Sequence, residues 1–277
     1  SPSGPIRRAM RDPFSPFTYD LSDRVALVTG ASSGLGERMA KVLAAHGAKV
    51  ALAARRVDRL AALNAEIEAH GGTALAVELD VADEAQTIAA YDRIEAELGP
   101  VDTVIANAGM ARDRGRATDN PAEDYTATFD VNMKGVFLTA REGAKRMMAP
   151  SGGQASSRET ERGRIVIISS ITAGIVSPNM AFYASSKAAV SHLGRHLARD
   201  WARMGVNVNM IAPGYIQTEI NDGLFDMPHG EKMQAGWARR RVTDADALDG
   251  VVLFLCSDHS RQITGTVTTI DDGQALG

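Results

Sequence analysis

Cysteine is nearly missing. Cys256 is the only one in 277 residues. A lone thiol excludes an internal disulfide and fits a reducing compartment, so a cytoplasmic setting is expected. Cys256 itself reads as a buried packing residue. A basic excess is missing too: the net charge is −4. That argues against nucleic acid as the main partner, because no surplus of cations stands ready to neutralise phosphates. Apolar runs long enough to cross a bilayer are absent, so no membrane partner is expected. No internal repeat is visible. Residues 1–20, "SPSGPIRRAMRDPFSPFTYD", are rich in proline and arginine and lack the apolar core of a signal peptide. They read as a flexible N-terminal arm.

The remainder, 21–277, has the length and composition of one α/β domain, with 44% hydrophobic and 23% charged residues in the whole chain. Short apolar runs alternate with amphipathic segments. "VALVT" (25–29), "KVALAA" (49–54), "TALAVELD" (73–80), "VDTVIANAG" (101–109), "RIVIISS" (164–170), "VNVNMIAPG" (206–214) and "TVTTID" read as strands. Between them lie helical patterns, among them one long helix over 121–148, one over 180–205 and one over "ADALDGVVLFLCSD". Strands apolar on both faces, alternating with helices, imply parallel βαβ units. Right-handed crossovers then give a single Rossmann-type doubly wound sheet flanked by helices on both faces. The polar stretch 150–163 reads as a surface loop or a frayed helix end.

"TGASSGLG" (29–36) follows the first strand and opens a helix. Glycines let the backbone approach a pyrophosphate, and a helix N-terminus offers N–H donors and the positive end of a dipole. The strand–turn–helix setting favours dinucleotide binding over a plain tight turn, although the glycine spacing is G-x-x-x-G-x-G. In "YASSK" (183–187), Tyr183 and Lys187 stand at i and i+4, so both project from one helix face. A phenol keeps its proton to about pH 10, and a neighbouring ammonium is expected to lower that value. A phenol tuned in this way exchanges a proton with a carbonyl or alcohol oxygen. The competing reading is a surface pair of no consequence.

"TGASSGLG", "NAG" (107–109), Asn132 in "VNMKG", "ISS" (168–170), "YASSK" and "PGYIQT" (213–218) occur in this order. Together they resemble the classical short-chain dehydrogenase/reductase family over nearly the whole chain. The resemblance implies a catalytic set of Asn132, Ser170, Tyr183 and Lys187. Ser170 lies 13 residues before Tyr183, at the family's serine position, with Ser169 facing core or backbone instead. Asn132 falls where the family holds a relay water, and a helix kink or a backbone hydrogen bond is the plainer role for it. The resemblance further implies a cofactor site of Gly30, Ser32, Ser33, Gly34, Leu35 and Gly36 in the loop, with Asp80 and Val81 at the adenine. Asn107, Ala108 and Gly109 belong to strand four, and Pro213, Gly214, Ile216 and Thr218 to the carboxamide segment. Tyr183 and Lys187 complete it. Asp80 competes as a helix cap. The family's "NNAG" appears here as "ANAG".

Family members that take NAD usually carry an aspartate at the end of strand two. Ala54 stands there, followed by Arg55 and Arg56. NADP(H) is therefore expected over NAD(H), mainly through Arg55, with Arg56 the better candidate for merely solvating the next helix. Ser33 stands where some NADP users add a second basic residue. The resemblance also implies a lid over 219–238 and a homotetramer built through the helices at 121–148 and 180–204 and the C-terminal end. Leu224, Phe225, Met227, Met233, Trp237, Met110, Ile171, Met180 and Tyr215 are candidates for apolar walls around a small-molecule ketone or alcohol. Two alternatives stand beside a carbonyl–alcohol oxidoreductase. One is a 3-oxoacyl carrier-protein reductase docking an acidic carrier on Arg199 and Arg203. The other is a dinucleotide-binding redox sensor, which the complete tetrad disfavours. His192 and His196 mimic a zinc pair, but Leu193 replaces the glutamate of a zinc-protease helix. No metal is expected, and a packing or interface role is favoured for the pair.

Overall fold

The computed structural model describes residues 14, 16–149, 161–218 and 224–276. Most of the expected arm (1–13 and 15), most of the polar stretch (150–160) and the start of the lid segment (219–223) lie outside the described residues. Seven strands form one parallel sheet in the order β3-β2-β1-β4-β5-β6-β7. They are β1 (Val25–Thr29), β2 (Lys49–Ala54), β3 (Thr73–Glu78), β4 (Thr103–Ala106), β5 (Gly163–Ile168), β6 (Val206–Pro213) and β7 (Val267–Ile270). Val28 pairs with Leu52 on one side and with Ile105 on the other, so β1 lies inside the sheet between β2 and β4.

Burial explains why the strands read as continuous apolar runs. Alternate residues feed two separate cores, one per sheet face. Ala26, Val28, Leu52, Ile105, Val166 and Ile211 point to one core. There they meet α1 (Gly34–Ala45), α2 (Val57–Ala69) and α8 (Asp249–Cys256) through Leu43, Leu60 and Leu255. Leu27, Ala53, Val104, Ile165, Val208 and Met210 point to the other. There they meet α3 (Glu84–Glu97), α5 (Val136–Met148) and α6 (Ala181–Trp201) through Tyr91, Ala144 and Val190. Cys256 is fully buried, and burial pushes its thiol up to about 12.

The chain winds from β1 outward through β2 to β3, then returns to place β4 on the other side of β1. Strand order reverses there, and in open parallel sheets ligands bind at that switch point, beyond the C-terminal strand ends.

Three expectations need adjustment. The helix over 121–148 is α4 (Ala122–Phe129) and α5 joined by a π-helical turn, Asp130–Gly135. The helix near 245–258 is limited to α8, which follows the short α7 (Pro228–Ala235). The chain also packs before residue 20. Phe17 stacks on His259 at 3.9 Å between ring centroids, and Tyr19 meets the same ring edge-on at 5.6 Å.

Candidate active site

The loop between β1 and α1 crosses the switch point. Gly30 has φ +68, and a Cβ there would lie 2.9 Å from the Ala108 Cα. At Gly36 a Cβ would lie 2.2 Å from the Gly30 oxygen. Only glycine permits this packing of loop, helix start and β4 end. Asn107 ties the two strands further: its side-chain amide donates to the Thr29 oxygen at 3.0 Å.

One cavity of about 670 Å³ opens here, within the size range of cofactor and ligand sites. It gathers Gly30, Ser32, Ser33, Gly34, Leu35 and Gly36 of the loop with Arg55, Arg56, Asp80 and Val81. Asn107, Ala108, Gly109, Ser170, Tyr183, Lys187, Pro213, Gly214, Ile216 and Thr218 line it as well. Every residue expected around the cofactor thus meets in one place. Asn132 stands behind the wall, fully buried.

Arg56 does not simply solvate α2. Its Nη2 donates to Ser32 Oγ at 2.9 Å and to Ser33 Oγ at 2.7 Å. A cation thus reaches the Ser33 position from the end of β2. Arg55 is exposed at the cavity edge beside Ala54. Asp80 is not the helix cap. Asp83 caps α3 by accepting from the Gln86 N–H at 3.0 Å, while Asp80 accepts from the Ala82 N–H.

Asn132 shows why the π turn exists. Its Oδ1 accepts from the Met110 N–H at 2.8 Å. Its Nδ2 donates to the Met110 oxygen at 2.8 Å and to Ser186 Oγ at 3.0 Å. One side chain therefore pairs the backbone after β4 with α6. A π-helical turn commonly marks such a functional position.

Ser169 turns away from the cavity's reactive end and donates to the Lys187 backbone oxygen at 3.1 Å. Ser170 begins a 3₁₀ turn, Ile171–Ala173, and its Oγ accepts from the Thr172 N–H. Tyr183 sits in the first turn of α6. That helix start is capped from a distance: Asp113 accepts from the Phe182 N–H at 2.8 Å and from the Tyr183 N–H at 3.0 Å. A carboxylate on a helix N-terminus is favourable through both hydrogen bonding and the dipole. Asp113, Thr172 and Ala111 carry no motif signal. The capping bonds cross from one loop to another element, which sequence spacing does not display.

The electrostatics differ from the motif reading. Burial pushes the Tyr183 phenol above its ordinary value, and hydrogen bonding with Ser170 pulls it part of the way back. The lowering expected from Lys187 does not set the direction. Its Nζ lies 5.6 Å from the Tyr183 ring centroid and donates to the Ile168 oxygen at 2.8 Å. Burial lowers the Lys187 ammonium from 10.5 to about 8. Between those values the unfolded chain holds the proton and the folded one does not. Stability contributed by this group therefore rises with pH across that window, and the cost of burying its charge is fully felt below it. Lys187→Met is expected to flatten this slope. Its stability relative to the parent should be greatest near neutral pH and fall toward about pH 10. Denaturant midpoints at the two ends of the window measure this, and an unchanged difference would refute it.

Beside the tetrad and the polar Thr172, the lining turns largely apolar. Met110, Ala111, Ile171, Met180 and Tyr215 line the cavity. Phe225 and Trp237 are not wall residues. They are buried behind Tyr215, whose ring stacks on Trp237 at 5.4 Å between centroids. Met227 is exposed, and Met233 also stands outside the lining. The Tyr215 backbone is clamped by buried Gln274, which accepts from its N–H at 2.6 Å and donates to its oxygen at 3.1 Å. His192 and His196 face each other on α6 with Nε2 atoms 3.2 Å apart. Among the described residues no group of three or more potential ligands forms a metal cluster.

A parallel sheet in this order, with a glycine loop at its switch point, defines a dinucleotide-binding α/β protein of the Rossmann type. The chain belongs to the short-chain dehydrogenase family, which it matches over residues 24–229. A gluconate 5-dehydrogenase from Gluconobacter oxydans is 33% identical, covering 93% of this chain and 97% of its own. A D-threitol dehydrogenase from Mycolicibacterium smegmatis is 32% identical, with 94% and 96% covered. A crystal structure of a gluconate 5-dehydrogenase from Burkholderia cenocepacia, in complex with NADP and tartrate, superposes with a TM-score of 0.85. It is 33% identical, covering 94% of this chain and 98% of that one. The protein is therefore an oxidoreductase that works with a nicotinamide dinucleotide, interconverting CH–OH and C=O groups of small molecules. Among the described residues no helix is long and apolar enough to cross a membrane.

Proposed function

We propose that the protein interconverts an apolar ketone and its secondary alcohol with NADP(H), and that Tyr183 exchanges the proton. The observation that carries this reading is the meeting of Tyr183, Ser170 and Lys187 at one end of the cavity and Arg55 and Arg56 at the other. The loop N–H groups and α1 suit a pyrophosphate, and the glycine cradle fits its close approach. The bound nicotinamide supplies hydride donation or acceptance. Lys187, cationic below about pH 8, orients ribose hydroxyls and offsets charge at the phenol. Ser170 donates to the carbonyl oxygen as negative charge grows on it. Asn132 fixes the Met110 backbone and α6 together, which sets the distance between the wall and Tyr183.

An apolar substrate is favoured by Met110, Ala111, Ile171, Met180 and Tyr215. Among the described lining residues, Lys187 is the charged one on that side, since Arg55, Arg56 and Asp80 sit in the elements expected to hold the adenosine. The relatives act on gluconate and threitol, which are densely hydroxylated. A screen following NADPH absorbance should include apolar ketones, polyols and sugar acids. Turnover of the ketones supports the reading, whereas turnover confined to polyols or sugar acids rejects it.

The same reading carries a homotetramer through the α4–α5 and α6 faces. Tyr125 on α4 is exposed, yet it packs with Phe129 at 4.5 Å and with Phe182 of α6 at 5.5 Å between centroids. Aromatic surface of this kind is typical of interface cores. Light scattering at micromolar concentration is expected to give four times the chain mass, and a monomer would reject it.

A further inference from the structure

Ser170 Oγ has two bonds from one residue. The Thr172 N–H donates to it at 3.2 Å, and Thr172 Oγ1 donates to it at 2.9 Å. A serine hydroxyl has one proton and two lone pairs. With both lone pairs taken, the proton is the one hydrogen-bonding function left to Ser170. Both residues are buried and both line the cavity. The 3₁₀ turn fixes the geometry, because Ile171–Ala173 folds the Thr172 backbone and side chain over the same oxygen.

We propose that Thr172 is a positioning residue for the reaction: it saturates the Ser170 oxygen and so commits the Ser170 proton to the cavity. A serine free to rotate would divide its proton between the substrate oxygen and local acceptors. Held by Thr172, it presents a donor before the substrate arrives, which is the preorganisation that makes a hydrogen bond useful to a developing oxyanion. The same donor stabilises the Tyr183 phenolate. Thr172 therefore acts on the proton-transfer step through Ser170 and touches neither the dinucleotide phosphates nor the hydride path. This inference rests on the catalytic reading above.

The test uses Thr172→Val, which keeps the branched shape and removes the hydroxyl, and Thr172→Ser, which keeps the hydroxyl. One net hydrogen bond corresponds to a loss of about 2- to 10-fold in kcat for Thr172→Val. NADPH affinity should stay within about 2-fold, and Thr172→Ser should recover most of the loss. The pH at which alcohol oxidation reaches half its maximum should move upward in Thr172→Val, because the phenolate has lost an oriented donor. In a Ser170→Ala background, Thr172→Val should cost nothing further. Equal losses in both backgrounds, or an unshifted pH profile with unchanged kcat, would overturn the proposal. If Thr172→Val does not fold, Thr172→Ala against Thr172→Ser in the same two backgrounds decides it by the same criteria. Tyr183→Phe run alongside separates the two levels. Normal turnover there defeats the catalytic reading itself, whereas lost turnover there with an inert Thr172 defeats this inference alone.

Discussion

Tyr183→Phe is expected to fold, bind the dinucleotide and lose turnover by about 10²- to 10⁴-fold, the usual contribution of a positioned general acid or base. The variant removes one oxygen from a ring that is held by its backbone. Asp113 grips the Phe182 and Tyr183 N–H groups, and Ser186 Oγ donates to the Tyr183 backbone oxygen at 2.7 Å. None of those bonds involves the phenol. Phenylalanine therefore keeps its place in the first turn of α6. What disappears is the group whose pKa is pushed up by burial and pulled part of the way back by Ser170. Dinucleotide affinity and turnover should be measured on one preparation with a proven substrate. Turnover within a few-fold of the parent would remove Tyr183 from the mechanism.

Ala54→Asp combined with Arg55→Ala is expected to lower the NADP-to-NAD ratio of kcat/KM by about 10²- to 10³-fold. Ala54 ends β2 and is buried, with no carboxylate at that position. An aspartate there would accept ribose hydroxyls and repel a 2′-phosphate. Removing Arg55 takes away a charge-assisted donor, worth about 1.5–3 kcal/mol, and each 1.4 kcal/mol or so is tenfold in affinity. Arg56 stays in place through Ser32 and Ser33, so the loop keeps its shape in the double variant. A parent that already prefers NAD, or a double variant with an unchanged ratio, would refute the assignment of this strand end.

The residues legible in the sequence are those whose chemistry is local. The glycines of 29–36 announce a turn because their spacing is itself the constraint, and Tyr183 and Lys187 share a face because four residues make about one turn. The strands were legible because two-sided burial leaves no polar alternation to confuse them. What stayed hidden depends on contacts between distant segments. Asp113 caps a helix from another loop, and Gln274 reaches back from the C-terminal 3₁₀ turn to clamp Tyr215. Arg56 was legible as a cation at the end of β2, but its turn onto Ser32 and Ser33 was not. The upward sign of the Tyr183 shift is hidden from the sequence for the same reason. Sequence shows the lysine beside the phenol, while burial comes from the whole fold.

The π turn at Asp130–Gly135 sets a phase. An α-helix advances about 100° per residue, and a π turn carries one residue more than an α turn. The upstream half, α4, buries Asp124 and Thr128 and packs on α6. The downstream half, α5, buries Leu138 and Ala144 and packs on the sheet and α3. Each half has its own stripe, and the wider turn absorbs an extra residue so that both stripes face inward at once. Closed into a regular α form, the same residues would sweep about a quarter turn more, so that either the α4 stripe or the α5 stripe would rotate toward water. A single-residue deletion within the π turn is therefore the one length change this helix can absorb, by closing to α form with both stripes in phase, whereas a deletion inside α5 would rotate everything beyond it.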